Sequence, residues 1–295
     1  MFGCLPTEMI PRRLRRFMRT RSVAEPSRVI AVDLDDVLAQ TNRAVAEWHN
    51  ETHGTSMTLD DFHYYHYYKN PGWGTKKDTS EKVKEFYRTN IMKPIPVPGA
   101  LEGVQELRRM GYTLVIVTAR HEDEKPMTLD WVNKYFPDIF DDVKFTGAFR
   151  EEVKEKGSLS DESEKDKEVG VDVRREDGKG MKTSQNGVKK DIKLSKAEVC
   201  AALNAPLLID DSAENAIACA RATPPMRVLL FGEYAWNERE SKEWASNELS
   251  YETKLEMMGG KEWWKEEKVV LPKGVARVKD WDDVIHWVRQ HWETR

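Results

Sequence analysis

The stretch Arg28-Val-Ile-Ala-Val-Asp-Leu-Asp35 is a short apolar run that ends in carboxylates. Its length and its β-branched residues are typical of a strand buried on both faces of a parallel sheet. Comparable runs follow at residues 112–117, 143–146, 207–209 and 228–231. Because helical patterns separate these strands, the sequence predicts an α/β fold with a doubly wound parallel sheet.

The helices between these strands are predicted from the spacing of their apolar residues. Pro98 and Gly111 bracket one of them, with proline early and glycine just past the end. Another begins near Ser195 and carries Lys196. The other predicted helices cover residues 41–51, 80–90, 127–136, 213–220 and 281–292.

Composition divides the chain into unequal parts. The N-terminal tail is rich in arginine and poor in acids, so it is either a solvated extension or an organelle transit peptide. We therefore expect a cytoplasmic protein, with a mitochondrial location as the alternative. A long charged insert lacks aromatic residues and cannot offset its ordering entropy by burial, which predicts disorder. The predicted parts are a basic, disordered tail (1–27), a core (28–40 and 98–236) containing the disordered insert (151–193), a helical cap (41–97) and a helical C-terminal extension packed on the core (237–295).

Overall composition excludes several functional classes. The 295 residues carry a formal net charge of -4, with 33% charged residues and no basic face in the core, so we expect no nucleic-acid polymer as partner. The apolar runs are strand-sized, far from the roughly 20 residues of a membrane span, so we expect no membrane partner. Three cysteines without metal spacing predict buried free thiols rather than a disulfide scaffold or a zinc module.

Polar residues follow three of the predicted strands where each strand ends. In an open parallel sheet, ligands bind outside these carboxyl ends. Singly, each residue could be an ordinary cap or surface carboxylate. Together they supply a carboxylate nucleophile for phosphorus, oxygen ligands for Mg²⁺ and donors for a phosphoryl group. The residues are Asp33, Asp35 and Asp36 after the first strand, Thr118, Ala119 and Arg120 after the second, and Asp210 and Asp211 after the fourth, with Lys196 before it.

These motifs resemble those of the haloacid dehalogenase-like phosphohydrolases. The resemblance rests on Val-Asp33-Leu-Asp35-Asp36-Val-Leu, Ile-Val-Thr118, Lys196 and Leu-Leu-Ile-Asp210-Asp211. It implies that Asp33 is the nucleophile and that Asp35 is the general acid/base. It also implies phosphate binding by Thr118, Ala119 and Lys196, magnesium binding by Asp33, Asp35 (through its backbone carbonyl) and Asp210, and support of the metal ligands by Asp211.

Within that superfamily, the sequence is most similar to the 5'(3')-deoxyribonucleotidase branch. Val37, the Pro94-Ile-Pro-Val-Pro-Gly-Ala-Leu101 segment and the Trp131-Val132 helix suit this branch. Arg120 departs from it, because the branch tends to have small residues or proline there. The resemblance implies a Mg²⁺-dependent phosphomonoesterase for nucleoside monophosphates or a similar small phosphate ester.

About 80 residues separate the first strand from Thr118, which is too many for a simple crossover. The resemblance implies that this insertion forms a small helical cap over the site. Its rings could stack on a nucleobase, with Trp48, Phe62, Tyr65 and Trp73 as candidates. The alternative is that these rings form the hydrophobic core of the cap itself.

Two other functions stay open at this point. The same catalytic residues would serve a phosphatase of another small metabolite or of a phosphoprotein. A non-catalytic interaction protein could instead retain the fold and bind partners through the charged insert and the tryptophan-rich C-terminal region. The combination of Asp33, Asp35, Thr118, Lys196 and Asp210 favours the enzyme, since a scaffold needs none of these residues together.

Overall fold

A parallel six-stranded sheet organises the chain. In the computed structural model, the described residues are 27–147, 194–241 and 244–291, so the predicted insert and, except for Ser27, the predicted tail lie outside them. The strand order is β3-β2-β1-β4-β5-β6, and every neighbouring pair is parallel, which confirms the predicted α/β fold with a doubly wound sheet. The strands are β1 (Val29–Val32), β2 (Thr113–Thr118), β3 (Asp142–Phe145), β4 (Leu207–Asp210), β5 (Arg227–Phe231) and β6 (Val275–Val278).

Helices cover both faces of the sheet, as successive side chains of β1 illustrate. Ile30 and Val32 lie in one apolar cluster, which also contains residues of α3 and α8. Ala31 lies in the opposite cluster, with residues of α5 and α6. The helices are α1 (Thr41–His53), α2 (Lys76–Asn90), α3 (Ala100–Arg109), α4 (Lys125–Tyr135), α5 (Lys196–Ala202), α6 (Ala213–Arg221), α7 (Tyr251–Met257) and α8 (Trp281–His291). Among the described residues, no helix has the length and apolarity to cross a bilayer.

The strand order places a crevice at the end of β1. From β1 the chain adds β2 and β3 on one side and then β4, β5 and β6 on the other. The crossovers therefore diverge between β1 and β4, which is the point where open α/β sheets bind their ligands. The residues that follow β1, β2 and β4 consequently meet at one place.

The C-terminal region contributes to the sheet itself. We expected only helices packed on the core in residues 237–295, but β6 pairs with β5 as an edge strand. The strand is short, and the charged Arg277 interrupts its apolar pattern. The Arg277 side chain donates a hydrogen bond to Asn237 Oδ1 (2.7 Å). The other edge strand, β3, is equally short and charged, but it lies within the β/α alternation of the sequence, whereas β6 follows a long charged region in which only helices were expected. Beyond it, α8 packs on α3 through Trp281.

Residues 41–97, hereafter the cap segment, carry α1, α2 and two short 3₁₀ turns. They build an apolar cluster of their own, to which the core adds Trp236. The crossover from β5 to β6 also contacts this segment. Trp263 Nε1 donates a hydrogen bond to Tyr64 Oη (3.0 Å), and the Trp264 ring stacks on His63. The cap segment is thus attached to the core at its middle as well as at its ends.

Gly103 of α3 lies against the Trp281 ring of α8. A Cβ placed on Gly103 would lie 2.4 Å from the Trp281 ring. We expect Gly103→Val to lower the free energy of unfolding by about 1–3 kcal/mol, because the buried ring cannot yield without repacking. Urea unfolding would measure this loss. Glu102→Val, at an exposed position of the same helix, is the matched control, and equal effects of the two variants would contradict the close packing.

Candidate active site

The turn after β1 presents the first group of carboxylates. Asp33 N donates to Ile209 O (2.9 Å), so the pairing with β4 continues to Asp33. The backbone then turns tightly: Leu38 N donates to Leu34 O (3.0 Å), and Asp36 adopts a left-handed conformation with φ 58°. This turn buries the carboxylates of Asp33, Asp35 and Asp36 at the end of the sheet.

Lys196 reaches this group from the first turn of α5. Ser195 caps that helix by accepting from Glu198 N, which directs the start of α5 toward the site. The Lys196 Nζ atom lies 2.6 Å from Asp33 Oδ2 and 2.7 Å from Asp210 Oδ2. The lysine therefore bridges the two strands on which the predicted nucleophile and metal ligand lie.

Asp210 ends β4, and Asp211 follows it, on the other side of the crevice. Asp210 Oδ1 accepts from Ser212 N (2.9 Å) and Asn215 Nδ2 (3.1 Å). Asp211 Oδ2 accepts from Trp236 Nε1 (2.7 Å). Carboxylate oxygens of Asp33, Asp210 and Asp211 all lie within 4.8 Å of one another. These three residues could hold a metal ion, and Asp211, expected only to support the ligands, lies in the group itself.

The electrostatics of this group fit a divalent cation. Burial raises the pKa of Asp33 to about 7, even though Lys196 opposes the shift. Burial, followed by the charges of Asp33 and Asp210, raises the pKa of Asp211 as well. Burial lowers the pKa of Lys196, but the charges of Asp210 and Asp33 raise it by more, so the lysine stays charged. Its single positive charge cannot neutralise three carboxylates. Hard oxygen ligands with excess negative charge are the donor set that Mg²⁺ prefers.

Asp35 has different partners. Its two carboxylate oxygens face the Arg120 guanidinium, and Oδ1 also accepts from Thr41 Oγ1 (2.5 Å). The Asp35 side chain is not in the carboxylate group described above, which is compatible with the expectation that only its backbone carbonyl would bind the ion. The pairing with Arg120 was not foreseen, because the two residues are 85 positions apart in sequence.

Thr118 and Ala119 lie where expected, at the end of β2 beside β1. Both are buried. The Thr118 hydroxyl accepts from Arg120 N (3.2 Å), and Thr118 O accepts from Thr146 N (2.9 Å). These contacts fix the end of β2 and join it to the end of β3, while the pairing of β1 with β2 on one side and β4 on the other puts Thr118 on the opposite side of β1 from Asp210.

The four candidate rings of the cap segment separate into two sets. Trp48, Phe62 and Trp73 lie in the apolar cluster of the segment. Tyr65 packs against the edge of that cluster and also lines a cavity of about 220 Å³ between the cap segment and the start of α6. Burial and the nearby carboxylates, Asp33 among them, raise the pKa of the Tyr65 phenol, so it stays protonated.

Two of the cavity residues that the sequence analysis missed lie on the core side. Glu214 and Asn215 lie in the first turn of α6, directly after Asp210 and Asp211. Their position after a carboxylate-bearing strand was a usable signal, because the first turn of that helix borders the same crevice. The cavity thus adjoins the carboxylates through Asn215.

Comparisons with known proteins give likenesses in structure only. No protein-family model and no curated protein matches the chain. Among the solved structures that resemble it is a candidate haloacid dehalogenase-like hydrolase from Bacteroides fragilis (15% identity, 70% of this chain and 87% of that chain, TM-score 0.40). Two others are a candidate phosphoglycolate phosphatase from Lactobacillus delbrueckii subsp. bulgaricus (13%, 89% and 98%, 0.46) and D,D-heptose 1.7-bisphosphate phosphatase from B. bronchiseptica, complexed with magnesium and phosphate (11%, 89% and 98%, 0.38). At these identities and TM-scores the similarities do not identify a reaction, so the reaction is inferred from the residues of the site.

The raised pKa of Asp33 predicts a pH-dependent effect of magnesium on stability. Between about pH 4 and 7 the folded, metal-free protein retains a proton that the unfolded chain has released, so this group's contribution to stability falls as pH rises. Mg²⁺ competes with that proton. We expect millimolar Mg²⁺ to raise the melting temperature more at pH 8 than at pH 5. At each pH, the increase should be about 2–4 °C for each kcal/mol that ion binding adds to the free energy of unfolding.

Differential scanning fluorimetry at the two pH values measures this difference. Asp210→Asn removes one carboxylate of the group and should abolish it, whereas Asp282→Asn, at an exposed position on α8, should not. A magnesium effect of the same size at both pH values would contradict ion binding by these carboxylates.

Proposed function

We propose that the chain is a Mg²⁺-dependent phosphomonoesterase of the haloacid dehalogenase-like superfamily, acting through an aspartyl-phosphate intermediate. One observation carries the proposal. The Asp33 carboxylate lies at the end of the central strand, in contact with Lys196 and within 4.8 Å of the Asp210 and Asp211 carboxylates. This arrangement combines a nucleophile, a phosphate-binding cation and a metal-binding group at one point.

Each residue of the site has a role in this proposal. Asp33 attacks phosphorus, and Leu34 N (2.7 Å from Asp33 Oδ1) helps to orient the carboxylate. Lys196, the Thr118 hydroxyl and the backbone at Ala119 hold the oxygens of the phosphoryl group. Asp35 protonates the leaving oxygen and then, as a carboxylate, takes a proton from the water that hydrolyses the intermediate.

Asp33, Asp210 and the backbone carbonyl of Asp35 would hold Mg²⁺, with Asp211 beside them. When bound, the ion would offset the negative charges of nucleophile and phosphate. The fit rests on the excess negative charge of the buried carboxylates, which Lys196 only partly compensates.

Loss of the nucleophile is the first test. We expect Asp33→Asn to abolish phosphate release, because an amide cannot form the acyl phosphate, while the fold stays intact. The measurement is phosphate release from an aryl and an alkyl phosphate ester with Mg²⁺, with circular dichroism as the check on folding. Asp282→Asn, which removes an exposed carboxylate far along the chain, should retain activity. Full activity of Asp33→Asn would exclude the aspartyl-phosphate mechanism.

We propose nucleoside monophosphates, as in the 5'(3')-deoxyribonucleotidase branch, as the first substrate class. The cavity of about 220 Å³ supports a small organic leaving group, since it adjoins the carboxylates and is bounded by Tyr65, Tyr68, Glu214 and Asn215. Aromatic rings suit a planar base, and the polar side chains suit its edge or a sugar hydroxyl. Burial of the catalytic carboxylates favours a small ester over a phosphoprotein.

Tyr65 tests this substrate assignment. We expect Tyr65→Ala to raise KM for a nucleoside monophosphate by about 5- to 150-fold, which corresponds to the 1–3 kcal/mol of one base–aromatic stack. Inhibition by inorganic phosphate should change little, because phosphate does not reach the cavity. Tyr65→Phe keeps the ring and is the matched control, so it should retain most of the affinity. Equal KM values for wild type and Tyr65→Ala would place the base elsewhere.

A phosphate-release screen over nucleotides, sugar phosphates and phosphopeptides distinguishes the remaining alternatives. A preference for sugar phosphates or phosphopeptides would retain the mechanism and replace the substrate. Absence of turnover on every class, with Mg²⁺ present, would favour the non-catalytic interaction protein.

A further inference from the structure

Arg120 makes the most directional contact in the site. Its guanidinium forms a two-point fork with Asp35: Nε lies 3.1 Å from Oδ2 and Nη2 lies 2.6 Å from Oδ1. The side chain is 1% exposed. Paired hydrogen bonds of this kind fix the plane of a carboxylate as well as its distance, which a lysine ammonium cannot do.

The same guanidinium also contacts two other elements. Its Nη1 donates to Thr128 Oγ1 on α4 (3.2 Å), and its central carbon lies 5.3 Å from the centroid of the Tyr87 ring on α2. Helix α4 belongs to the core, whereas α2 belongs to the cap segment. Arg120 is therefore held between core and cap segment, with Asp35 as its ion-pair partner.

A simple counter-ion role does not account for this arrangement. Lys196 already bridges Asp33 and Asp210 as a compact charge, with no cap residue in its ion pairs. Asp35, in contrast, has its orientation defined by three hydrogen bonds: two from Arg120 and one from Thr41 at the start of α1. Among the described residues, Oδ1 accepts two of these bonds and Oδ2 accepts one. A carboxylate offers about two acceptor positions on each oxygen, so the remaining position is on Oδ2.

We propose that Arg120 is the positioning residue for Asp35, and that the Tyr87 ring of the cap segment fixes the position of the Arg120 guanidinium. In this arrangement Oδ2 of Asp35 carries the proton for the leaving group. As an Asp33 oxygen bonds to phosphorus, the ester P–O bond breaks, its electron pair stays on the leaving oxygen, and that oxygen takes the proton from Asp35. The inference rests on the proposed phosphatase function and adds a residue that links the cap segment to proton transfer.

The dependence on leaving group tests this role. An aryl ester such as p-nitrophenyl phosphate leaves readily without protonation, whereas an alkyl ester needs the proton. We expect Arg120→Lys, which keeps the charge but not the fork, to lower kcat/KM on an alkyl phosphate by about 100-fold or more, the lower range of general acid catalysis. This ratio covers the steps up to departure of the leaving group and leaves out hydrolysis of the intermediate, which is common to both esters. On p-nitrophenyl phosphate we expect a loss below about tenfold, and unchanged inhibition by inorganic phosphate.

Two further variants complete the experiment. Arg239→Lys changes another buried arginine, one whose guanidinium donates to backbone carbonyls of Ala235 and Trp264, and it should affect both esters equally. Tyr87→Leu removes the ring that faces Arg120 and should show the alkyl-selective loss in weaker form. If Arg120→Lys does not fold, as judged by circular dichroism, Tyr87→Leu alone decides.

The possible outcomes separate the two proposals. Equal losses on both esters, or weaker inhibition by phosphate, would overturn the positioning role and make Arg120 a phosphate-binding residue. An unchanged ratio in Tyr87→Leu would overturn the link to the cap segment. A wild-type protein that hydrolyses neither ester would overturn the proposed function, and with it this inference.

Discussion

The concentration of buried negative charge at the end of β1 is the constraint on which the site depends. Five buried aspartates share this edge of the sheet with two buried cations, Arg120 and Lys196. Burying a charge is costly unless it is paired, so each carboxylate requires specific donors. Lys196 serves the group around Asp33, and Arg120 serves Asp35. The remaining negative charge could be offset by a divalent cation, as our proposal assumes.

The attachment of the cap segment has a similar importance for the substrate. The crossover from β5 to β6 contacts its middle through Tyr64, which donates to Glu267 and accepts from Trp263. Tyr65 follows directly and lines the cavity beside the carboxylates. The position of that ring relative to Asp33 is thus determined by residues about 200 positions away in sequence, which a local pattern cannot encode.

Sequence reasoning predicted the strands that lie within the β/α alternation, including the short, charged edge strand β3, and it missed β6, which follows a long charged region. It also predicted that Asp33, Thr118, Lys196 and Asp210 would meet. Parallel strands align their carboxyl ends, so the position of Asp33, Thr118 and Asp210 at the ends of β1, β2 and β4 was sufficient for these three. Lys196, at the start of α5, was predicted from the resemblance of the motifs. The pairing of Arg120 with Asp35 was not predictable, because it depends on which side chains point toward each other across 85 residues.

The sequence by itself therefore determined the fold class and the meeting of the carboxylates after β1 with those at the end of β4, since both follow from periodicity and from the ends of strands. Only the tertiary structure decided how the carboxylates are divided. Asp211 joins Asp33 and Asp210, whereas Asp35 turns to Arg120 and Thr41. The physical reason is that a buried charge takes its partner from whatever donors the packing of distant helices brings within hydrogen-bonding distance. The local sequence does not specify that packing.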